Sequence, residues 1–395
     1  MSLSVGIVGL TNAGKSTLFS ALTKKQVNIS NYPFCTIDPN VGVVEVPDEK
    51  LDKLAEISHS AKKIPTVVQF TDIAGLIRNA HKGEGLGNQF LSYIREVDAI
   101  LFVVRCFLNP NVSHVEKSID PVRDIDIVQT ELMLKDLETL QKRIEKAETA
   151  VSIRGGEPRP AGQDAKTGKS FDKLRTGEVI ADELEILKKI KMTLEGGKLV
   201  RQFFVENKNL FDENSTLGNE NFNTLKNLQL LTSKPGIFIL NSHANEISPE
   251  LEKKIKDLNS EYIVANLRDE CDAVKFSEEE KKELGLTESK LNQIIEKSYK
   301  ILELVTFYTA NNNESHAWTI KEGTRASKAA GAVHTDFEKK FICAEVIGID
   351  KLLEIVANNP SGDPWSHAAR IGKLRTEGKD YVVQNNDVIL IKHGQ

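Results

Sequence analysis

The sequence predicts an α/β fold with a mostly parallel sheet, a helical insertion and a smaller C-terminal domain. Over the first hundred residues, short apolar runs typical of buried strands alternate with helical stretches. Apolar residues at spacings of three and four then replace this pattern, and alternating strand-like runs return near the C-terminus. We therefore expect an α/β domain over 1–125 and 206–302, an inserted helical arm over 126–205, and a separate domain over 303–395.

The composition is that of an ordinary folded protein, which excludes disordered and collagen-like architectures. Of the 395 residues, 40% are hydrophobic and 28% are charged. No apolar run reaches the roughly 18 residues of a membrane span, so we expect no membrane partner and a cytoplasmic location. The net charge of −5 provides no overall basic field, and we expect no DNA partner and a monomer. The four cysteines lack metal-ligand spacing and are interpreted as reduced thiols.

The first strand and helix flank a glycine loop that is typical of phosphate binding. An apolar run at 5–8 leads into Gly9 to Ser16, which has the spacing GxxxxGKS, and a helical stretch follows. At this spacing, backbone N–H groups surround a phosphate chain at a helix N-terminus, where the dipole favours negative charge. We expect Lys15 to reach the terminal phosphates as a catalytic group and Ser16 to ligate Mg²⁺. The residues expected to contact the nucleotide here are Asn12, Ala13, Gly14, Lys15, Ser16 and Thr17.

A second strand supplies an acidic group for the same metal ion. The run 64–70 is interpreted as a buried strand that leads into Asp72. A carboxylate at the end of such a strand, beside a phosphate loop, is placed to hold Mg²⁺ through water. Gly75 can then turn its backbone toward the terminal phosphate. Thr36, in the loop between the two motifs, is either a further Mg²⁺ ligand or an ordinary turn hydroxyl.

Three more strands, at 100–104, 237–241 and 262–265, extend the predicted sheet, with a charged helix from Pro249 to about Leu258. In the insertion, two apolar stripes predict two long helices that pair with each other. The stripes are Met133, Leu137, Leu140, Ile144, Ala147 and Val151, and then Ile180, Leu184, Leu187 and Leu194. The glycine-rich, basic segment 152–177 between them is interpreted either as a solvated loop or as a tip that faces RNA or the ribosome.

In the C-terminal domain, alternating runs at 316–320 and 341–347, an alanine-rich helix at 326–332 and a closing strand at 388–391 suit a compact β-grasp fold. Several basic side chains there form either a local RNA-binding patch or a solvated face. They are Arg325, Lys328, Lys339 and Lys340.

Longer runs of sequence resemble those of one family, the YchF/Obg-like ATPases of the translation-factor-related branch of P-loop NTPases. The matching runs are 9–16, NYPFCTI at 31–37, DIAGL at 72–76, HKGEGLGNQFL at 81–91, RCF at 105–107, Ala317 to Thr319 and His334 to Lys339. The resemblance implies a P-loop NTPase domain with an antiparallel coiled-coil arm and a TGS domain, a β-grasp module. It also implies a Mg²⁺-dependent ATPase that binds the ribosome or its subunits and rRNA, as a switch in translation or stress response.

The residues that read the base and orient water depart from common patterns. Asn241 ends a strand where guanine readers carry Asn-Lys-x-Asp, but no Asp follows at that spacing. The family carries Asn-x-x-Glu, whereas Glu246 comes two positions late, so either it folds back or Asn241 and backbone groups recognise the base. We expect ATP as substrate, with GTP also possible.

Position 76 is a leucine where many relatives place a water-orienting glutamine. By resemblance, His114 is the candidate for that role. Asn12 in the phosphate loop suggests a site for K⁺, as in potassium-dependent relatives, or a plain loop cap.

Two other segments imitate nucleotide motifs. The run 162–170 ends in GKS without a preceding strand, and Asn266 to Asp269 follows one strand too late to read the base. Besides the ATPase switch, two functions stay open: a GTP-specific ribosome-assembly GTPase, and a ribosome- or RNA-binding adaptor whose nucleotide is structural.

Overall fold

A computed structural model of the chain describes residues 4–24, 40–73, 86–109, 112, 118–155, 183–211, 225–244, 246–276, 280, 283, 289–358 and 364–394. Contacts within the chain group it into two compact units, one of residues 6–17 and 72–267 and the other of 1–5, 18–71 and 268–395. This grouping does not follow the domain limits expected from the sequence. None of the described helices is long and apolar enough to cross a membrane.

One sheet has six strands, and it confirms the predicted α/β class. The strands are β1 (Ser4–Val8), β2 (Val41–Glu45), β4 (Val67–Asp72), β5 (Ala99–Arg105), β6 (Gly236–Asn241) and β7 (Glu261–Ala265), and their order is β2-β4-β1-β5-β6-β7. β5, β6 and β7 are parallel, whereas β2 and β4 are antiparallel. In this register Asn241 lies opposite both Arg105 and Ala265. The carboxyl ends of three strands therefore meet at one edge, which is where α/β sheets place ligands.

The helices up to residue 300 are α1 (Lys15–Thr23), α2 (Glu49–Ile57), α3 (Leu86–Glu96), α4 (Pro121–Gly155), α5 (183–195), α6 (Val200–Glu206), α7 (Pro249–Asp257), α8 (Leu267–Ala273) and α9 (Lys290–Lys300). Among them, α2 packs with the C-terminal region, because its Leu51 and Leu54 belong to the same buried cluster as Tyr308. The predicted charged helix is α7, which begins with a proline after Ser248, whose Oγ accepts from Leu251 N. Between β5 and β6, the rings of Phe102 and Phe238 stack with centroids 5.1 Å apart.

The strand predicted over 64–70 is wrong in its limits. The structure has two strands there, β3 (Lys62–Ile64) and β4, and the second continues to Asp72. Pro65 separates them because proline has no N–H to donate to a sheet. β3 pairs in parallel with a strand of the C-terminal region, so this segment contributes to two different sheets.

The helical insertion contains the predicted pair of helices, but the residues through which they pack differ in part from the predicted apolar stripes. Leu140 and Ile144 of α4 pack with α5 in one buried cluster. On α5 the cluster includes Leu187 and Leu194 as predicted, and also Ile186 and Ile190, which the predicted stripe omitted. Ile180 and the segment 156–182, with most of the predicted tip and the 162–170 motif, lie outside the described residues.

Asp136 joins α4 to the chain that enters β6. Its fully buried carboxylate accepts hydrogen bonds from Leu231 N (2.7 Å), Thr232 N (2.8 Å) and Thr232 Oγ1 (2.7 Å). Burial raises the pKa of Asp136 to about 6, and these hydrogen bonds act in the opposite direction. The side chain thus fixes the start of the strand that ends at Asn241.

The C-terminal region forms the second sheet, consistent with the predicted β-grasp domain. Its strands are β8 (Leu304–Ala310), β9 (Glu314–Lys321), β10 (Phe341–Gly348), β11 (Arg375–Glu377) and β12 (Asp387–His393). The order is β11-β10-β12-β8-β9-β3, with β12 and β8 parallel at the centre. The helices are α10 (Ala326–Val333), α11 (Thr335–Lys339), α12 (Ile349–Asn358) and α13 (Pro364–Arg370).

Candidate nucleotide-binding site

The phosphate loop connects β1 to α1 through backbone conformations that its sequence requires. Asn12 has a φ of 62° and Gly14 a φ of 110°, and Ala13 N closes the turn on Leu10 O at 3.3 Å. A Cβ at Gly9 would lie 2.3 Å from Val103 O of β5, and one at Gly14 would lie 2.5 Å from Asn241 Nδ2. Both glycines are therefore needed for close approach, as phosphate loops require.

Lys15 lies inside this loop. Its Nζ donates to Leu10 O at 2.8 Å, and the residue is only 7% exposed. Burial lowers the pKa of Lys15 to about 8, while the charge of Asp72 acts to raise it. The ammonium group is held beside the backbone amides that would surround a phosphate chain.

Two oxygen-bearing side chains flank this lysine. Ser16 is exposed in the first turn of α1, and Asp72 is half-buried as the last residue of β4. Hydroxyl and carboxylate oxygens are the ligands that Mg²⁺ prefers, usually together with phosphate oxygens and water. The donor set therefore fits a nucleotide-bound Mg²⁺. Three other predicted site residues, Thr36, Gly75 and His114, lie outside the described residues.

Asn241 connects the base end of the site to the phosphate loop. Its Nδ2 donates to Ala13 O at 3.0 Å, and its Oδ1 accepts from Leu267 N at 3.3 Å. The residue is 7% exposed. Because a carboxamide has two N–H donors, one is left after the contact with Ala13. The structure thus brings Asn241 against Ala13 and Gly14, as a shared site requires.

The turn after Asn241 has no acidic group at the guanine-reading position, which is Ala244. Ser242 is buried, and its Oγ accepts from Ala244 N at 3.1 Å. Glu246 is exposed and makes no hydrogen bond to Asn241 among the residues that the structure describes. Its folding back onto the base position therefore has no support in the described contacts.

Asn266, dismissed on sequence as a base reader, nevertheless lies at this turn. Its Nδ2 lies 2.8 Å from His243 Nδ1. An amide N–H is the donor in this contact, so Nδ1 accepts and Nε2 carries the imidazole hydrogen. Sequence reasoning missed this pair because it forms only when the ends of β6 and β7 are adjacent.

Sequence reasoning also missed the role of Arg105, the last residue of β5. It is 2% exposed, and its guanidinium donates to the carbonyl oxygens of Phe107 (3.3 Å), Asn109 (3.2 Å) and Val112 (3.2 Å). The guanidinium also lies 4.6 Å from the centroid of the Phe107 ring, which contacts the His243 ring edge-on at 5.5 Å. Arg105 thus fixes the start of the segment that leads toward His114, and Phe107 of that segment contacts the turn after Asn241, which we call the base-side turn. An arginine directly after six apolar residues was the available signal.

Comparison with known proteins gives matches along almost the whole chain. Residues 4–144 match the MMR_HSR1 family model, described as 50S ribosome-binding GTPase, and 304–394 match YchF-GTPase_C, described as a protein of unknown function. The chain is 43% identical to the ribosome-binding ATPase YchF of Bacillus subtilis, with 98% of each chain covered. It is 36% identical to Obg-like ATPase 1 of Gallus gallus, over 99% of this chain and 92% of that one. The solved structure of the Schizosaccharomyces pombe YchF GTPase superimposes with a TM-score of 0.77 at 34% identity, covering 99% and 98% of the two chains.

Proposed function

The chain belongs to the YchF family, and from this premise we propose that it is a ribosome-associated P-loop ATPase that slowly hydrolyses ATP to ADP and phosphate. The observation that carries the proposal is the joined site: a phosphate loop holding the buried Lys15, tied through Ala13 to Asn241. Relatives that match over their full length are named ribosome-binding ATPases. The nucleotide state would set affinity for the ribosome, and the protein would act as a cytoplasmic monomer.

Lys15 and the loop amides would bind and orient the phosphate chain. Ser16 and Asp72 would hold Mg²⁺, with Thr36 as a further ligand and the Gly75 backbone near the terminal phosphate. When bound, Mg²⁺ would neutralise the negative charge that develops during phosphoryl transfer. Lys15 would leave Leu10 O for phosphate oxygens, and their opposite charge would raise its pKa and favour its protonated form.

The attacking water needs a polar group, because Leu76 cannot form a hydrogen bond through its side chain. We assign that role to His114, in the loop whose start Arg105 fastens. If so, His114→Ala lowers turnover and leaves ATP affinity nearly unchanged, which separates chemistry from binding.

The base preference would be ATP over GTP. Guanine presents two N–H groups that a carboxylate accepts, and Ala244 stands where that carboxylate is needed. Asn241, whose second amide N–H has no partner among the residues that the structure describes, and backbone groups of the turn would recognise adenine.

A nucleotide-competition titration on the purified full chain tests this proposal. We expect ATP to bind at least as tightly as GTP and phosphate release to continue over multiple turnovers with ribosomes present. Tenfold tighter GTP binding, about 1.4 kcal/mol, would instead indicate the GTP-specific assembly factor. Release of no more than one phosphate per protein would indicate the adaptor with a structural nucleotide.

A further inference from the structure

Three aromatic rings are in contact at one corner of the C-terminal sheet, and two of them stack. Phe337 of α11 stacks on His393, with ring centroids 4.3 Å apart, and its centroid lies 5.5 Å from that of His334, whose ring is tilted by 50°. The Phe337 and His393 rings are inclined by only 19°. Both histidines are exposed, whereas Phe337 is half-buried. The stack therefore presents the exposed imidazole of His393 on a half-buried phenyl ring.

Backbone contacts hold the three rings in place. His393 is the last residue of β12 and lies opposite Phe341 of β10. Gly394 N donates to Lys340 O at 2.9 Å, which ties the end of β12 to the end of α11. His334 Nδ1 accepts from Asp336 N at 3.2 Å. Because these contacts already hold the protein side chains, a ligand that stacks on this corner would immobilise few of them, and this lowers the entropic cost of binding.

Two exposed lysines follow closely after Phe337 in the chain. Lys339 and Lys340 are exposed, and neither ammonium group has a side-chain partner among the residues that the structure describes. Two neighbouring lysines differ, because Lys328 pairs with Glu338 and Lys392 with Glu345 (3.3 Å). An acidic group also lies close, because the carboxylate of Asp336 is 3.7 Å from His334 Nδ1.

We propose that this corner, defined by His334, Phe337, His393, Lys339 and Lys340, binds single-stranded RNA. An unpaired base would continue the stack on an exposed imidazole, and the two lysines would contact the adjacent phosphates. Proteins bind single-stranded nucleic acids through exposed aromatic ring faces combined with cationic side chains, because every base has a π-face and every phosphodiester link carries a negative charge. The proposal rests on the proposed ribosome association and assigns one contact surface to it.

Fluorescence anisotropy with the full chain and a labelled ten-nucleotide single-stranded RNA tests the corner. His393→Ala should weaken binding about fivefold or more, the lower range for loss of one stacked base. An abasic oligonucleotide of the same length should bind as weakly, and His393→Ala should not weaken it further. Equal binding of the normal and abasic strands would overturn the stacking proposal.

The charge contribution has a matched control. The double variant Lys339→Ala/Lys340→Ala should reduce the slope of log K against log salt by about 1.4, from roughly 0.7 per phosphate contact on a single strand. Lys351→Ala/Lys373→Ala removes the same charge from exposed positions elsewhere in this domain and should leave the slope unchanged. Equal effects of the two double variants would contradict a local site.

Ribosome co-sedimentation separates this proposal from the proposed function. If the wild-type chain sediments with ribosomes but does not bind the free strand, the RNA corner is wrong and the ribosome association stands. If it binds the strand through this corner but does not sediment, the corner stands and the association fails. If the corner variants reduce sedimentation although the wild-type chain does not bind the free RNA strand, the partner of this corner is a protein, and the proposal is wrong.

Discussion

The two ends of the proposed site differ, because the phosphate end would bind mainly through backbone amides, whereas the base end would depend more on side chains. The phosphate loop needs Gly9 and Gly14 because a Cβ at either would collide with its neighbours. The segment 241–246 contains no glycine, and it lacks both the Asp of guanine readers and the Glu spacing of the family that it resembles. The two ends nevertheless touch, through Asn241 Nδ2 and Ala13 O.

This difference explains why the phosphate loop of this chain keeps the common GxxxxGKS pattern while the turn after Asn241 departs from the base-reading patterns. Backbone amides are present in every residue, so phosphate recognition fixes the spacing and conformation of a loop. Base recognition fixes only which polar atoms reach the ring edge, and several side chains can supply them. A changed base-side turn is therefore compatible with an unchanged phosphate loop.

The largest expected effect is at the phosphate end. Lys15→Ala removes the buried ammonium group, and we expect ATP binding to weaken and turnover to fall about 10²- to 10³-fold, the usual loss for one electrostatic donor to a transition state. Lys24→Ala, an exposed lysine after the same helix, is the control and should behave as wild type. Titration of binding and single-turnover hydrolysis measure the two effects. Normal turnover in Lys15→Ala would remove the lysine from the mechanism.

Rebuilding the base end should change the preference without changing phosphate binding. Ser242→Lys with Ala244→Asp restores the Asn-Lys-x-Asp pattern, and we expect GTP affinity to rise about tenfold relative to ATP, or about 1.4 kcal/mol. Ser242→Lys alone is the matched control, because it lacks the carboxylate that accepts from guanine. Competition titrations give both ratios. An unchanged ratio in the double variant would mean that the backbone of the turn, and not the missing carboxylate, decides the base.

The two ends should also respond differently to pH. Lys15 has a pKa of about 8 in the free protein, lowered mainly by burial. Bound phosphate favours its charged form, so binding above pH 8 requires uptake of a proton. ATP affinity should thus be steady just below pH 8 and then fall by up to about tenfold per pH unit as the pH rises.

Lys15→Ala is the control for this pH dependence and should lose the decline. The ratio of ATP to GTP affinity should stay constant from pH 7.5 to 9, because both nucleotides present the same phosphates to Lys15. A ratio that changes over this interval would place another titrating group at the base end.

Arg105 offers a test of the loop that contacts the base-side turn. Arg105→Lys keeps the buried charge but removes the planar fork that reaches the carbonyls of Phe107, Asn109 and Val112. We expect turnover to fall about tenfold with ATP affinity nearly unchanged, since the variant affects positioning more than binding. Arg325→Lys is the control, because that side chain is 64% exposed. A loss of ATP affinity equal to the loss of turnover would show that Arg105 supports the base pocket instead.

Local patterns predicted the strands, the phosphate loop and the C-terminal sheet, because apolar periodicity and glycine spacing act within a few residues. Contacts between distant segments were not predictable in this way. The bonds from Asn241 to Ala13, from Asn266 to His243 and from Arg105 to Val112 form only once particular strand ends are adjacent. Pro65 was visible in the sequence, but its consequence, that β3 pairs with β9, depends on the whole fold.

The smallest expected effect concerns Asn12, whose amide we propose as a K⁺ ligand beside the phosphates. Its φ of 62° is in the left-handed region, which asparagine and glycine tolerate. Asn12→Gly therefore keeps the loop conformation and removes only the amide. We expect wild-type turnover to be about two- to threefold higher in KCl than in NaCl at equal ionic strength, a difference below 1 kcal/mol. In Asn12→Gly the two salts should give equal rates. If the variant keeps the potassium preference, the asparagine serves only to shape the turn, and any cation site lies elsewhere.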